Sequence, residues 1–326
     1  MMRDKINIGI VGYGNLGKAV EAAITQNSDL TLRAIFTRRN PENIEGNSKI
    51  LHISKIKEFI GEIDVMVLCG GSATDLPHQS CEISEYFNIV DSFDTHAKIE
   101  EHYQSVDKVC RENNNVALLS IGWDPGVFSL NRLLGQSVLP SGKGYTFWGR
   151  GVSQGHSDAI RRVDGVKYGI QYTIPVEQSI DRIRNGETPE FTPREMHERV
   201  CYIVPEEGAD LDYITNTIKK MRNYFDEYNT TINFITEEEF KKDHSGIPHG
   251  GFVIYSGNSA HNKKSNIEFK LTLDSNPEFT GSVLVAYARA AYRLHKEGKV
   301  GAHTIFDVPL SYLSPKTGEE LRKELL

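Results

Sequence analysis

Two short acidic loops carry the residue types best suited to handle a charged small molecule: Asp91-Ser92-Phe93-Asp94-Thr95-His96 and Gly122-Trp123-Asp124-Pro125-Gly126. Brought together, the carboxylates of Asp94 and Asp124 neutralise an ammonium group and orient the carbon that bears it. Each acid also has a blander role available, Asp91 and Asp94 as helix N-caps and Asp124 as a turn residue before Pro125. A third segment, Gly12-Tyr13-Gly14-Asn15-Leu16-Gly17, has the glycine spacing of a phosphate cradle, with room for a tight turn, a close approach by pyrophosphate and close helix packing.

The elements that must position these residues follow a βα alternation. Ile6-Asn7-Ile8-Gly9-Ile10-Val11 reads as a strand, the glycines as a turn and residues 18–25 as a helix. A second strand over residues 30–36 ends in Thr37-Arg38-Arg39, where a unit that binds NAD places an acid for the ribose hydroxyls. Guanidinium groups there attract a 2′-phosphate instead, so the cofactor expected is NADP. The alternative is a solvated arginine pair. Residues 64–69 are a nearly continuous apolar run, as a doubly covered parallel strand requires, and the small residues after Cys69, Gly70-Gly71-Ser72-Ala73-Thr74, either border the cofactor or form a plain loop. Further strands at 87–91 and 116–120 flank a polar helix at 97–113 and deliver the two acidic loops to the same sheet edge.

The pattern then changes. Amphipathic strands at 166–174, 199–204 and 231–235, with helices near 176–185 and 210–225, suggest an α+β layer. The expected fold class is therefore α/β, a Rossmann-type doubly wound parallel sheet with a second α+β substrate and dimerisation domain. The divisions expected are 1–122 for dinucleotide binding, 123–277 for substrate binding and dimerisation, and 278–326 returning to the first domain through a helix at 280–297 and a short edge segment at 302–308. Residues 147–158 are dense in glycine and read as a functional loop; Trp123 and Trp148, the only tryptophans, wall a pocket or anchor the core. Arg199, at the start of an apolar strand, and His249, in a Gly and Pro loop, are candidates to bind a carboxylate. The spacing of His244 and His249 does not suit a metal site, and no metal is expected.

The chain's 326 residues suit roughly two domains. A net charge of −7 excludes the usual basic nucleic-acid surface, and no apolar run is long enough for a membrane span. Without a secretory pattern at its start, the protein is expected in the cytoplasm. Cys69, Cys81, Cys110 and Cys201 show no pairing or zinc spacing and read as buried reduced thiols.

Together these segments resemble the meso-diaminopimelate dehydrogenase family over nearly the whole chain. The markers are Gly122-Trp123-Asp124-Pro125-Gly126, Phe147-Trp148-Gly149, Ser153-Gln154-Gly155-His156-Ser157-Asp158, Pro248-His249-Gly250-Gly251 and Asn276-Pro277, in that order. The resemblance implies an NADP-dependent, reversible oxidative deamination of meso-2,6-diaminopimelate at its D-centre in lysine biosynthesis, with a homodimer as the expected assembly. It implies that Asp94 and Asp124 hold the reacting amino group between Trp123 and Trp148. It further implies that Arg199, Thr173 and His249 bind the distal carboxylate, with Asn276 and the Ser153-Gln154-Gly155 segment as further polar contacts. Rival readings are another D-amino-acid dehydrogenase of the same fold, a non-catalytic NADP sensor, and a sugar dehydrogenase of the glucose-fructose oxidoreductase type. The last usually carries Glu-Lys-Pro where this chain has Val90-Asp91-Ser92-Phe93-Asp94.

Overall fold

A computed structural model of the chain describes residues 5–46 and 48–326. Its contacts divide the chain into two compact units: the residues up to Leu130 together with Pro277–Leu326, and Asn131–Asn276.

Among the described residues of the first unit, seven strands form one sheet in the order Gly301–His303, Val116–Leu118, Asn88–Asp91, Val65–Leu68, Ile6–Val11, Leu30–Thr37 and Ile50–His52. Every neighbouring pair is parallel. Parallel strands are covered on both faces, which is why Val65, Met66, Val67 and Leu68 are all fully buried. Asn88 ties three strands at one end: its Nδ2 donates to the Asp64 carbonyl (2.8 Å) and its Oδ1 accepts from Val116 N–H (2.9 Å). The expected boundary at 122 falls inside a loop that stays with this sheet, because Ile121 N–H donates to the Asp91 carbonyl at 2.9 Å.

The C-terminal segment packs here too. The helix Asn276–Lys296 crosses the first helix, Asn15–Thr25, at Gly281, where a Cβ would lie 2.9 Å from the Ala19 carbonyl carbon. Arg289 on the same helix is buried and reaches Asp29 (Nε to Oδ2, 2.6 Å) and Asn27 (Nη2 to Oδ1, 2.8 Å). The expected edge segment is the strand Gly301–His303, parallel to Val116–Leu118.

The second unit holds two sheets among its described residues. One has the order Asn229–Phe234, His197–Pro205, Val166–Pro175, Gly151–Val152; the other has the order Lys263–Leu273, His249–Ser259, Lys143–Trp148. The long hairpin of the second sheet has no counterpart in the sequence reading, because Gly250-Gly251 weakens the strand signal just where it begins. His249 accordingly opens a strand rather than sitting in a loop. The segment 147–158 is also corrected: it ends the strand Lys143–Trp148, pairs as Gly151–Val152 and starts the helix Gln154–Arg161. Its glycines lie at strand ends and in the first helical turn, where they break no regular element, and Ser157, Ala159 and Ile160 give the helix its buried face. Cys110 and Cys201 are buried as expected, whereas Cys69 and Cys81 are half-buried; all four are free.

Candidate functional site

In the first unit the glycine turn opens a cavity of about 270 Å³, lined by Gly12, Tyr13, Gly14, Thr37, Arg38, Arg39, Cys69, Gly70 and Gly71 among others. Gly12 has φ +94°, and a Cβ there would sit 2.9 Å from the Cys69 carbonyl oxygen. A Cβ on Gly17 would collide with the Gly12 carbonyl, whereas one on Gly14 would meet only open space. So Gly12 and Gly17 shape the turn, and Gly14 leaves the mouth of the cradle open at the start of the helix headed by Asn15 and Leu16. These vacant glycine faces, with helix amides beyond them, fit a dinucleotide pyrophosphate.

The arginines are held apart from one another. Arg39 Nη2 donates to the Tyr13 carbonyl and so braces the turn. Arg38, largely exposed, pairs with Asp75 Oδ1 at 2.8 Å. Asp75 Oδ2 in turn accepts from Gly71 N–H at 2.9 Å. An acid does line this cavity, then, but it arrives from the loop after Val65–Leu68, not from the end of Leu30–Thr37. Nothing in the sequence spacing flags it. Thr37 is buried and its Oγ1 accepts from Arg39 N–H (3.2 Å); Ser72 Oγ accepts from Asp94 N–H (2.8 Å), linking the two loops, while Ala73 and Thr74 are exposed. Although half-buried at the cavity wall, the Cys69 thiol is pushed up by desolvation, which keeps it in the unreactive thiol form.

Both acidic loops belong to this unit. Asp94 is exposed and Asp124 half-buried. Asp91 is fully buried, its side chain taken up by Ser80, His102 and two backbone amides. Trp123 is buried, with its ring edge-on to Phe128 at 5.2 Å, so it anchors its loop as well as edging it.

The second unit gathers the candidate carboxylate ligands. Cross-strand register sets Arg199 directly opposite Thr173, and Thr173 opposite Gly151. Arg199 is 7% exposed; its Nη1 donates to Thr173 Oγ1 and its guanidinium lies 3.9 Å from the centre of the Tyr228 ring. Gln171, two residues before Thr173 and therefore on the same face, donates to Thr173 Oγ1 at 3.3 Å. Arg199 makes no ion pair among the described residues, and its Nε and the Oε1 of Gln171 have no hydrogen-bond partner. Burial lowers the Arg199 pKa, the signature of a cation short of solvation.

Two histidines face that cation. Burial first, and Arg199 second, pull His156 down to about 4 and His197 to about 3, so both are neutral near pH 7. His156 Nδ1 is 2.8 Å from Ser153 Oγ and its Nε2 is 3.1 Å from the Tyr224 carbonyl, so Nε2 carries the proton. His197 Nε2 accepts from Trp148 N–H at 2.9 Å and its ring stacks on that indole, centroids 5.5 Å apart. Trp148 itself is 39% exposed. His249 Nδ1 accepts from Gly250 N–H at 2.8 Å, which puts the ring proton on Nε2, and the absent side chain of Gly151 makes room for the ring. Gln154 and Gly155 are exposed in the first turn of their helix, and Asn276 N–H donates to the Ile247 carbonyl at 3.1 Å. Gln171, Tyr228 and His197 escaped the sequence reading. The strand period of two from Thr173 is enough to find Gln171; the other two become neighbours only through tertiary packing.

Residues 122–275 match the family model described as the diaminopimelic acid dehydrogenase C-terminal domain. The meso-diaminopimelate D-dehydrogenase of Ureibacillus thermosphaericus is 59% identical over 99% of each chain. A crystal structure of the Q154L/T173I/R199M/P248S/H249N/N276S variant of a meso-DAP dehydrogenase from Clostridium tetani E88, with DAP, has 60% identity and a TM-score of 0.94, covering 99% of this chain and 100% of that one. An engineered D-amino acid dehydrogenase bound to NADP+ has 38% identity and a TM-score of 0.86 over the same shares. With a parallel-sheet cradle, paired acidic loops and a buried arginine already in place, this likeness over the full length means that the chain belongs to the meso-diaminopimelate D-dehydrogenase family.

Proposed function

We propose that the protein is an NADP-dependent oxidoreductase that oxidatively deaminates meso-2,6-diaminopimelate at its D-centre, giving L-2-amino-6-oxopimelate, ammonia and NADPH, in lysine biosynthesis. The observation that carries this reading is the buried Arg199. A guanidinium with no acidic partner, flanked by Thr173, Gln171 and neutral histidines, is a niche waiting for a carboxylate. Substrate with a second, L-configured amino-acid end supplies one. In the C. tetani variant named above, the residues replaced are of the same types and numbers as Gln154, Thr173, Arg199, Pro248, His249 and Asn276 here.

NADP held in this cradle would supply the acceptor for the hydride that leaves the D-carbon. Arg38, which lines the cavity, would attract the 2′-phosphate, and the open face at Gly14 would receive the pyrophosphate. Asp94 and Asp124 neutralise and orient the reacting amine, with Trp123 and Trp148 bounding it. Arg199, Thr173 and His249 hold the distal carboxylate, and Asn276 and the Ser153-Gln154-Gly155 segment add polar contacts. Fixing the L-end presents only the D-carbon for oxidation, so stereoselectivity comes from position. Water attacks the resulting iminium, and ammonia leaves. We further place the enzyme in the cytoplasm, where free thiols persist, and read the mixed-sheet unit as the surface of a homodimer.

NADPH appearance at alkaline pH tests the assignment. Meso-diaminopimelate with NADP should react far faster than the L,L-isomer, D-alanine or the NAD-supported reaction. Turnover of the L,L-isomer alone would overturn it.

A further inference from the structure

Asp91 has no part in the chemistry above, yet its carboxylate is held by four donors. It is fully buried at the end of the strand Asn88–Asp91, with both oxygens committed. Oδ1 accepts from Phe93 N–H (3.1 Å), in the loop that bears Asp94, and from Ser120 N–H (2.9 Å), which leads into the loop that bears Asp124. Its own carbonyl accepts from Ile121 N–H (2.9 Å). One residue therefore joins both acidic loops through three backbone amides.

The other oxygen is fixed by two further elements. Oδ2 is 2.7 Å from Ser80 Oγ on the helix Leu76–Ser84, and 2.7 Å from His102 Nε2 on the helix Ile99–Asn113. The His102 ring also stacks on Phe93, centroids 4.2 Å apart, so it grips the first loop by its side chain as well. Ser120 has φ +58°, a left-handed conformation that costs a non-glycine residue about 1 kcal/mol, and its own buried hydroxyl has no partner. That turn is held from outside, by Asp91.

We propose that Asp91 is a positioning residue that sets the separation of the Asp94 and Asp124 loops, braced by Ser80 and His102. The inference rests on the assignment of Asp94 and Asp124 to the reacting amine. Its contribution is geometric: the site needs an acceptor at the place of Oδ1, not a charge at residue 91. An asparagine provides that acceptor, while Ser80 and His102 reverse their hydroxyl and tautomer to meet its amide. A glutamate keeps the charge and misplaces both oxygens.

The test compares Asp91→Asn and Asp91→Glu in the full-length enzyme for kcat and KM with meso-diaminopimelate, for NADPH affinity, and for amide exchange at Phe93 and Ser120. Asp91→Asn should keep kcat within about fivefold, whereas Asp91→Glu should lose about 30-fold or more, on the scale of a sub-ångström to ångström misplacement of a catalytic group. NADPH affinity should change by less than about threefold in both, since the cradle is built elsewhere. The reverse ranking, with glutamate active and asparagine not, would overturn the proposal. Should the glutamate variant not fold, amide exchange in the unaltered enzyme decides: Phe93 and Ser120 should be among its slowest amides, and rapid exchange at both contradicts the role. Asp94→Asn and Asp124→Asn separate the two levels. If those variants turn over normally, the substrate reading fails; if they are inactive while Asp91→Glu is not, only the present inference fails.

Discussion

The parallel-sheet unit and the mixed-sheet unit solve the problem of holding a charged ligand in opposite ways. The first uses backbone: vacant glycine faces at Gly12 and Gly14, helix amides, and two loops whose acids stay in contact with water. Little charge is buried without partners; Asp91 has four donors on its side chain and Arg289 has Asp29. The second unit buries a cation and leaves it short of an anion, with Arg199 beside Thr173 and above Tyr228. On the function proposed above, the features common to every amine substrate, hydride acceptance and amine neutralisation, belong to the first unit, and choice of substrate belongs to the second.

That division can be broken at its strongest point first. Asp94→Asn and Asp124→Asn each should lower kcat/KM by about 10²–10³-fold, the usual cost of removing one charged partner of an ammonium that the bound substrate screens from water, and should do so equally for meso-diaminopimelate and D-alanine. A loss confined to diaminopimelate would assign the acids to selectivity instead. Next, Gly17→Val should weaken NADP binding about 100-fold, because its side chain cannot avoid the Gly12 carbonyl; a cofactor titration by fluorescence reads this directly.

Acid should separate the units by stability. His156 and His197 are held near 4 and 3, well below the 6.5 they recover on unfolding. Because the unfolded chain binds their protons first, stability is full above pH 6.5 and falls as pH drops below it, by about 1.4 kcal/mol per pH unit for each histidine. Denaturant melts at pH 7.5 and 5 can follow each unit alone, since Trp123 reports on one and Trp148 on the other once its counterpart is replaced by Phe. The Trp148 signal should shift more. His303 in the parallel-sheet unit is also depressed by burial, which sets the smaller shift expected there. The smallest effect is Arg38→Asp: the side chain is exposed and shared with Asp75, so NADP preference over NAD should fall only about tenfold.

The two units also differed in how far the sequence disclosed them. Parallel strands such as Val65–Leu68 are apolar throughout, the glycine turn has a fixed spacing, and the acidic loops follow from strand ends; all were readable because the determinants are local. In the mixed-sheet unit the hairpin from His249 to Leu273 went unread, since its outer strand alternates charged residues such as Lys264, Glu268 and Lys270 with half-buried ones and its inner strand carries two glycines directly after His249. Arg199 was legible as a cation on an apolar strand. Its partners Tyr228 and His197 were not, because nothing in sequence distance brings them to the guanidinium. Asp75 and Asp91 show the same limit in the first unit: one enters the cofactor cavity from a neighbouring loop, the other looks like a cap and is a buried tie.

The measurement that bears most directly on the division is the ratio of kcat/KM for meso-diaminopimelate to that for D-alanine, in the unaltered enzyme and in Arg199→Met. D-alanine has no distal carboxylate. Removing the guanidinium should lower the diaminopimelate value by about 10²–10³-fold and leave the D-alanine value within about threefold, collapsing the ratio. An equal fall for both substrates would place Arg199 in the common chemistry and contradict the account.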